Sequence, residues 1–177
     1  MKTVMGTQPV SKARRAPGEH AQEMADRAAR GAEGERKVGA ILEALGPDWY
    51  VLHGVWLGHG DIDHVLVGPG GTFTIETKAN QGHIHLATID DRMLRQAYAE
   101  SKVLAKVSGL EVDPLLVFSD AFLIGSPPAR RGGVTVLPAR MLAGYLERRP
   151  PKLFPDEVAE IAERLTLALE LDAAETR

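Results

Sequence analysis

The sequence predicts an α/β fold in which a central mixed β-sheet is flanked by helices. The first indication is a β-hairpin: residues 62–67 and 72–75 are rich in β-branched and apolar side chains and flank a Gly-Pro-Gly-Gly turn. The second is the short apolar run at residues 114–118, which is typical of a buried strand. The third is that helices are predicted both before and after this group of strands, which favours a sheet covered on both faces.

Length and composition indicate one soluble globular domain. The chain has 177 residues, of which 44% are hydrophobic and 25% are charged, and this is enough for a substantial core. It contains no cysteine, which excludes disulfides and thiolate metal sites. No apolar run approaches the roughly 20 residues of a membrane span, and the N-terminus lacks the apolar segment of a signal peptide. We therefore expect a cytoplasmic protein with no membrane partner.

The formal net charge of −3 is unevenly distributed along the chain. Residues 1–19 hold four basic side chains and one acidic side chain and so carry +3, which leaves −6 on the remainder. Because these residues are also rich in small side chains and Pro and lack periodicity, we predict a flexible basic tail at 1–19 and a single domain at 20–177. An acidic body disfavours tight, indiscriminate binding to nucleic acid, although it leaves room for a local basic strip.

A first helix is predicted at residues 20–45, ending at Gly46 and Pro47. Its apolar side chains recur at helical spacing: Val38, Ile41, Leu42 and Leu45. Gly31 and Gly34 each weaken a helix by about 1 kcal/mol relative to Ala, which leaves a break open as an alternative.

Glu35 is predicted to share the inward face of this helix with Val38 and Leu42. A carboxylate that points toward a core needs a partner, which makes Glu35 a candidate site residue. The alternative is a boundary carboxylate that pairs with Arg36 or with water.

After a strand at residues 49–57, the hairpin carries three charged side chains at its open end: Asp63, Glu76 and Lys78. If Asp63 and Glu76 lie opposite each other, they share a face with Lys78, two residues beyond Glu76. Two facing carboxylates repel unless a cation lies between them, and Mg²⁺ is commonly bound by one or two carboxylates with water and phosphate. The Lys would then lower the pKa of an attacking water or stabilise developing charge. The alternative is the solvated end of an ordinary hairpin.

The register of the hairpin decides whether these charges converge. A reversal of even length centred between Pro69 and Gly70 pairs Val67 with Thr72 and places the two carboxylates opposite each other. A three-residue turn would shift the register by one and send Asp63 to the other face. Pro69 suits the first position of a type I turn, which favours a loop of three or four residues.

A loop at residues 79–82 and a short strand at 83–86 are predicted to follow. Two histidines of this strand and two earlier ones suggest an alternative zinc site: His59, His64, His83 and His85. Their spacing is not that of an established ligand set, and histidines at strand edges are common.

A second helix is predicted at residues 92–108, with Asp90 or Asp91 as its cap. It is apolar on two sides, and we therefore expect it to pack between neighbours. Gln96 lies in its first turns, where it reaches a metal-bound water or a phosphate or else remains solvated.

Three elements are predicted in the C-terminal part: a strand at 133–137 and helices at 138–147 and 156–171. Residues 122–125 either extend the strand at 114–118 or follow it as a separate strand. The loop at 127–132 carries Arg130 and Arg131, which contact phosphate or simply lie at the surface. The amphipathic last helix either covers the sheet or offers an interaction surface.

Three segments of the sequence form a pattern that is specific as a whole. They are Gly-Ala-Glu-Gly-Glu at residues 31–35, Asp-Ile-Asp-His-Val-Leu-Val-Gly-Pro-Gly-Gly at 61–71 with Ile-Glu-Thr-Lys at 75–78, and Arg-Gln-Ala at 95–97. This pattern resembles the nuclease-related domain, a branch of the PD-(D/E)XK, or restriction-endonuclease-like, superfamily. The resemblance covers roughly residues 30–120, and residues 121–177 add the C-terminal strand and helices.

The resemblance implies a restriction-endonuclease-like fold with an αβββαβ core. It also implies a nuclease that hydrolyses phosphodiester bonds, with DNA favoured over RNA and with Mg²⁺ or Mn²⁺ as cofactor. Asp63 takes the place of the metal-binding Asp, and Glu76 and Lys78 that of the (D/E)-x-K pair. Glu35 would be the carboxylate of the first helix, with Asp63 and Glu76 as the other metal ligands, and Gln96 the polar residue of the next helix. Every one of these positions holds the residue type that the pattern requires.

A different class of function remains open at this point. A non-catalytic nucleic-acid-binding or regulatory module would keep the same fold without depending on Lys78. The acidic body suggests in addition a partner protein that delivers the nucleic acid. The resemblance to the superfamily leaves a homodimer open as well.

Overall fold

The computed structural model describes residues 17–57 and 60–175. In chain order the helices and strands are α1 (Pro17–Glu43), β1 (Tyr50–Trp56), β2 (Asp61–Gly68), β3 (Gly71–His85), α2 (Asp91–Ser108), β4 (Val112–Ile124), β5 (Ala129–Arg131), β6 (Val134–Pro138), α3 (Leu142–Glu147) and α4 (Pro155–Glu175). Within the described ranges, no helix combines the length and the apolar character that crossing a membrane requires.

The strands form a single six-stranded mixed sheet in the order β1-β2-β3-β4-β6-β5. β1, β2 and β3 are antiparallel neighbours, β4 runs parallel to β3, β6 runs parallel to β4, and β5 is antiparallel to β6. The succession α1-β1-β2-β3-α2-β4 is an αβββαβ core. The predicted fold class, a mixed sheet flanked by helices, is confirmed.

Different pairs of helices cover the two faces of the sheet. Leu66 of β2 packs with Leu42 of α1 and Leu142 of α3 on one face. Its neighbour Val65 packs with Leu165 of α4 on the other face, which α2 also covers. Successive side chains of a strand point to opposite faces, so this alternation assigns every strand residue to the α1/α3 side or to the α2/α4 side.

α1 begins at Pro17 and continues without a break through both of its glycines in the middle. The break that was open as an alternative therefore does not occur, and residues 17–19 of the predicted tail are the first turn of this helix. Residues 1–16 of that tail lie outside the described residues.

Gly34 explains why a glycine stands in the middle of this long helix. A Cβ at position 34 would lie 2.8 Å from Ser119 Oγ and 3.0 Å from the Cβ of Ala79. Both distances are shorter than an ordinary carbon contact, so a side chain here would force Ser119 or Ala79 to shift where α1 approaches β3 and β4. At Gly31 a Cβ would meet no atom within 4 Å.

The β2–β3 hairpin pairs Val67 with Thr72 and Gly68 with Gly71, so its loop consists of Pro69 and Gly70 alone. The prediction of a three- or four-residue loop was wrong, and the even register is the one adopted. Gly71 has a φ of +119°, a conformation that a β-branched residue avoids, and this lets β3 begin directly after the two loop residues.

β3 is one strand of fifteen residues, and the predicted loop at 79–82 with a separate strand after it was wrong. β3 and β4 stay paired on both sides of a β-bulge, with Lys78 opposite Phe118 and Gln81 opposite Asp120. The bulge absorbs one extra residue of β3 and increases the local twist without ending the strand.

α2 starts at Asp91, and the side chain of Asp90 accepts a hydrogen bond from the Arg92 backbone N–H at 2.8 Å. Asp90 is therefore the cap, and the predicted helix is confirmed with its start one residue earlier. Leu94 packs against the sheet and Leu104 packs in the cluster that includes α4, as expected for a helix that is apolar on two sides.

The predicted exposed loop at residues 127–132 contains the short strand β5. Arg131 Nη1 donates a hydrogen bond to the Leu86 carbonyl at 2.6 Å, so this arginine fixes a neighbouring turn, whereas Arg130 is exposed.

α4 covers the sheet with the apolar side predicted from its sequence. Val158 and Leu165 are buried there, and Ile161 and Leu169 pack beside them. The chain itself therefore accounts for this apolar stripe, and the alternative of an interaction surface on it loses its basis.

Gly34→Ala should destabilise the fold although Ala favours helices. We expect a loss of about 1–3 kcal/mol in the free energy of unfolding because the new methyl overpacks the contact of α1 with Ser119 and Ala79. Gly31→Ala is the matched control in the same helix and should stabilise by about 0.5–1 kcal/mol. Urea denaturation of both variants measures the difference, and equal stability of the two would contradict the packing argument.

Candidate active site

The open end of the β2–β3 hairpin brings three charged side chains to one face of the sheet. The ladder between the strands ends with His64 opposite Ile75, so the next pair in this register is Asp63 opposite Glu76. Ile75 packs under α1, which directs Glu76 and Lys78 to the opposite face, the face of α2. The convergence predicted for the even register is therefore present.

A hydrogen-bonded network joins the hairpin to α2. Glu76 is only 4% exposed, and its Oε1 accepts from Lys78 Nζ and, at 2.9 Å, from Gln96 Nε2. Lys78 Nζ also donates to Gln96 Oε1 at 3.2 Å. Asp63 Oδ2 accepts from the backbone N–H of Thr77 at 2.6 Å. Gln96 thus contacts both members of the Glu-x-Lys pair, and the alternative of a merely solvated side chain is wrong.

Glu35 reaches the site from α1, on the other side of the sheet. Its side chain is exposed, so the predicted inward orientation was wrong: Val38 and Leu42, which are fully buried, occupy the inward face of the helix. Glu35 nevertheless lines the same cleft as Asp63 and Glu76. Partial burial, and then the charge of Glu76, raise the pKa of the Glu35 carboxyl.

A cleft of about 800 Å³ opens over these side chains, between α1 and the first turns of α2. Exposed basic side chains line it from both helices, Arg27 and Arg30 on α1 and Arg92 on α2. A body of net negative charge therefore carries positive charge beside its carboxylate cluster, which is the local basic strip that the composition left room for.

The carboxylates of the cleft destabilise each other's ionised forms. Burial, and then the nearby charge of Glu76, raise the pKa of Asp63 to about 7, although the hydrogen bond from Thr77 acts in the opposite direction. A nearby cation would favour the ionised form of this carboxyl and so lower its pKa.

Glu100 is a member of the cluster that sequence reasoning missed. It lies one helical turn after Gln96, whose Nε2 donates to Glu100 Oε1 at 3.0 Å. Burial, and then the charge of Glu76, raise the pKa of Glu100 to about 8. The available signal was its spacing: four residues separate it from Gln96, so the two share a helix face.

One carboxylate oxygen of the site lacks a partner and could take part in binding a divalent cation. Glu76 Oε2 is buried and has no hydrogen-bond partner, although carboxylate oxygens are hard ligands that Mg²⁺ and Mn²⁺ prefer. In the two described ranges, no three His, Cys, Asp or Glu side chains form a group that would surround a metal. A cation here would therefore take two carboxylates and complete its shell with water or phosphate, which is common for Mg²⁺.

The alternative zinc site is not assembled among the described histidines. His64 is buried and its Nδ1 lies 2.8 Å from His53 Nδ1, whereas His83 packs on the ring of Phe122. Burial, and then the charge of His53, lower the pKa of His64 to about 4. His59 lies outside the described residues.

A family model described as the nuclease-related domain matches residues 30–119, just over half of the chain. The matched region runs from the middle of α1 into β4 and contains all five predicted site residues. None of the curated proteins matches the sequence.

Three solved structures show distant likeness to the chain. A repair endonuclease from Pyrococcus abyssi is 15% identical with a TM-score of 0.34, over 82% of this chain and 50% of that one. The EndoMS–dsDNA2 complex is 18% identical with a TM-score of 0.34, over 84% and 49%. SfsA of Pyrococcus furiosus in complex with Ca²⁺ is 18% identical with a TM-score of 0.30, over 81% and 53%. The chain spans about half the length of each, and these TM-scores are too low to support a conclusion about it.

The raised pKa of Asp63 predicts that the metal-free protein loses stability as the pH rises. The protonated form is favoured in the folded state, so the contribution of Asp63 is complete below its ordinary pKa of 3.8 and is lost as the pH rises through about 7. In EDTA, the melting temperature of Asp63→Asn should therefore fall less between pH 5 and pH 8.5 than that of the wild type.

Asp48→Asn, in the exposed connection between α1 and β1, is the control and should follow the wild type. Thermal denaturation followed by circular dichroism measures all three proteins. Parallel pH profiles for Asp63→Asn and wild type would show that Asp63 is already ionised without penalty.

Proposed function

Because the chain belongs to the nuclease-related domain family, we propose that it is a divalent-metal-dependent nuclease that hydrolyses the phosphodiester bonds of DNA. The observation that carries this proposal is the convergence of Asp63, Glu76 and Lys78 on one face of the sheet, at the floor of a cleft with basic walls. The αβββαβ core that surrounds them is the one that the superfamily resemblance implies.

Asp63 and Glu76 would hold the cation, with Glu35 contributing through water from the opposite wall of the cleft. When bound, Mg²⁺ or Mn²⁺ would supply Lewis-acid polarisation of a phosphate oxygen. The hydrogen bond from Thr77 fixes the Asp63 carboxylate, and the bonds from Lys78 and Gln96 fix that of Glu76, so both ligands are oriented by the protein before any cation arrives.

Lys78 has two tasks in this proposal. It neutralises Glu76 in the resting site. Its ammonium would also stabilise the negative charge that develops on a phosphate bound beside the carboxylates. Gln96 positions both groups, since it donates to Glu76 and accepts from Lys78. Positioning and electrostatic stabilisation account for most of the rate of phosphoryl transfer, so these contacts are where we expect mutations to act.

The basic walls of the cleft suit a phosphate backbone. Arg27 and Arg30 on α1 and Arg92 on α2 would contact phosphates on the two sides of the scissile bond, and such contacts position a nucleic acid without reading its sequence. DNA as substrate, a homodimer or partner protein, and a cytoplasmic location are parts of this proposal that come from the sequence.

Cleavage assays test the proposal directly. Wild-type protein should cut at least one member of a panel of plasmid, linear duplex, single-stranded DNA and RNA in Mn²⁺ and none in EDTA. Lys78→Ala should reduce the rate by at least about 100-fold, as expected for loss of a charge-stabilising donor. Lys106→Ala, in the exposed last turn of α2, is the matched control and should retain activity.

Each outcome of this assay has a different meaning. Cleavage that persists in Lys78→Ala would refute the assigned site. No cleavage by the wild type on any substrate would favour the non-catalytic nucleic-acid-binding module that keeps the same fold.

Cation binding should also stabilise the protein. At a free Mn²⁺ concentration of about 100 times the dissociation constant, mass action adds about 2.7 kcal/mol to the free energy of unfolding. For a domain of this size that raises the melting temperature by roughly 5–10 °C. Asp63→Asn should show a smaller rise than Asp48→Asn, and an unchanged melting temperature in the wild type would argue against any cation at the site.

A further inference from the structure

We propose that a single-stranded nucleic acid leaves the cleft across the second half of β3 and stacks a base on Phe122, near the end of β4. The inference rests on the proposed function, because it names the form of nucleic acid that the cleft would take, a strand whose unpaired bases have faces free for stacking. It assigns a binding role to Phe122, which lies outside the carboxylate cluster and outside residues 30–119 of the family match.

The first observation is a large aromatic side chain that the fold leaves open to solvent. Phe122 is 53% exposed, although its neighbours in β4, Ala121 and Leu123, are both buried. These neighbours pack in the cluster that includes Leu94 of α2. Because successive side chains of a strand point to opposite faces, Phe122 points to the α1/α3 side of the sheet. An exposed ring of this size offers an apolar face to a ligand.

Two further flat side chains flank the ring of Phe122. His83 lies opposite it in the β3–β4 ladder, with the two ring centroids 5.4 Å apart. Arg140, directly after β6, places its Cζ 5.0 Å from the centroid of the Phe122 ring. All three side chains are exposed, and we term them the stacking platform. Aromatic rings and guanidinium planes are the groups on which the bases of single strands stack.

A groove connects the main cleft with the stacking platform. The main cleft extends to Arg30 of α1 and to Ala79 and Gln81 of β3, and a second cavity of about 240 Å³ shares these three residues. On its other side this second cavity is lined by Asp120 of β4. Phe122 follows Asp120 by two residues, and residues two apart in a strand share a face. A bound strand therefore has a continuous path from the cleft to the platform.

The charges along this path suit a phosphate backbone. Arg30 and Arg140 lie at its two ends, and neither forms an ion pair within the described ranges. Both carboxylates that line the groove are already neutralised by basic side chains of α1, in the pairs Asp120–Lys37 and Glu33–Arg36. The path thus offers unpaired positive charge without unpaired negative charge, as binding to phosphates requires.

The length of the path determines the probe. From Glu76 to His83, β3 advances by roughly 20 Å at about 3.3 Å per residue, with one residue taken up by the bulge. Neighbouring phosphates of one strand are about 3.4 Å apart in a duplex and farther apart in an extended strand. A strand therefore spans the carboxylates and the platform with about six nucleotides or fewer.

Binding to oligonucleotides with and without bases tests the inference. Fluorescence anisotropy in EDTA at low salt should show that the wild type binds a labelled oligo(dT) of about 20 nucleotides, which exceeds the span of the path. Phe122→Ala should bind it about 5- to 150-fold more weakly, as for the loss of one stacked base. Phe122→Tyr keeps an aromatic ring and should bind within about twofold of the wild type.

An abasic oligonucleotide of the same length and a blunt duplex separate stacking from charge. Neither offers an unpaired base, so Phe122→Ala and the wild type should bind each of them equally. Arg30→Ala should weaken the binding of oligo(dT) and of the abasic oligonucleotide alike, because a phosphate contact needs no base.

Phe154→Ala is the matched control for the loss of an exposed ring. Phe154 is 77% exposed and lies directly before α4, and its variant should bind oligo(dT) as the wild type does. Circular dichroism verifies that each variant is folded, and sedimentation velocity measures whether Phe122→Ala changes the association of the chain with itself.

The outcomes separate this inference from the proposed function. Equal binding of oligo(dT) by Phe122→Ala and wild type would overturn the inference, as would equal losses for oligo(dT) and the abasic oligonucleotide. A change in sedimentation without a change in oligo(dT) binding would overturn it in favour of a contact between copies of the chain. No oligo(dT) binding by the wild type would also overturn it. The cleavage assay in Mn²⁺ and EDTA decides separately on nuclease activity, so a nuclease that cuts only duplex would keep the proposed function alone.

Discussion

The register of one β-hairpin is the constraint on which the candidate site depends. Val67 opposite Thr72 places Asp63 opposite Glu76, and a shift by one residue would move Asp63 under α1. The two-residue loop sets this register. The burial of Val65 and Ile75 on opposite faces maintains it, because a shift by one residue would turn the side chains of the shifted strand away from the clusters in which they pack. The same register therefore satisfies both the packing of the core and the geometry of the site.

Helix α2 contributes Gln96 and Glu100 to the site, and its own cap and apolar side chains determine where it lies. Asp90 caps its first turn, and apolar side chains on two sides of the helix pack against the sheet and α4. This orientation leaves one polar stripe, with Gln96 and Glu100 one turn apart, facing the hairpin. Gln96 then makes hydrogen bonds to Glu76, Lys78 and Glu100. Burial, and then the neighbouring charge of Glu76, raise the pKa of Glu100.

The core helices and strands and the mixed sheet could be predicted from the sequence because they follow from local periodicity. The five candidate site residues came from a pattern that resembles a known family, and the structure brings them to one cleft. The loop of the hairpin was mispredicted because the preference of Pro69 for longer turns was weighed without the core packing that selects the register. The loop expected at 79–82 is a bulge because pairing with β4, a long-range contact, outweighs local composition. Gly34 suggested a break in the helix, whereas it allows the helix to pack closely against Ser119. Ser119 is distant in sequence, so the residues around Gly34 give no indication of this contact. Glu100 was missed because its importance arises only when α2 meets the hairpin.

The pairing of β3 with its two neighbours changes at the site. From Thr72 to Ile75 the strand is paired with β2 on one side and with β4 on the other, but the β2 ladder stops at Ile75 while β4 follows the strand to its end. At Thr77 the Asp63 carboxylate takes the backbone N–H beyond the last β2 pair. Glu76 thus lies at the boundary between two parts of β3. The part before it is paired on both edges, and its amides should exchange slowly with solvent, whereas the part after it is paired along one edge only.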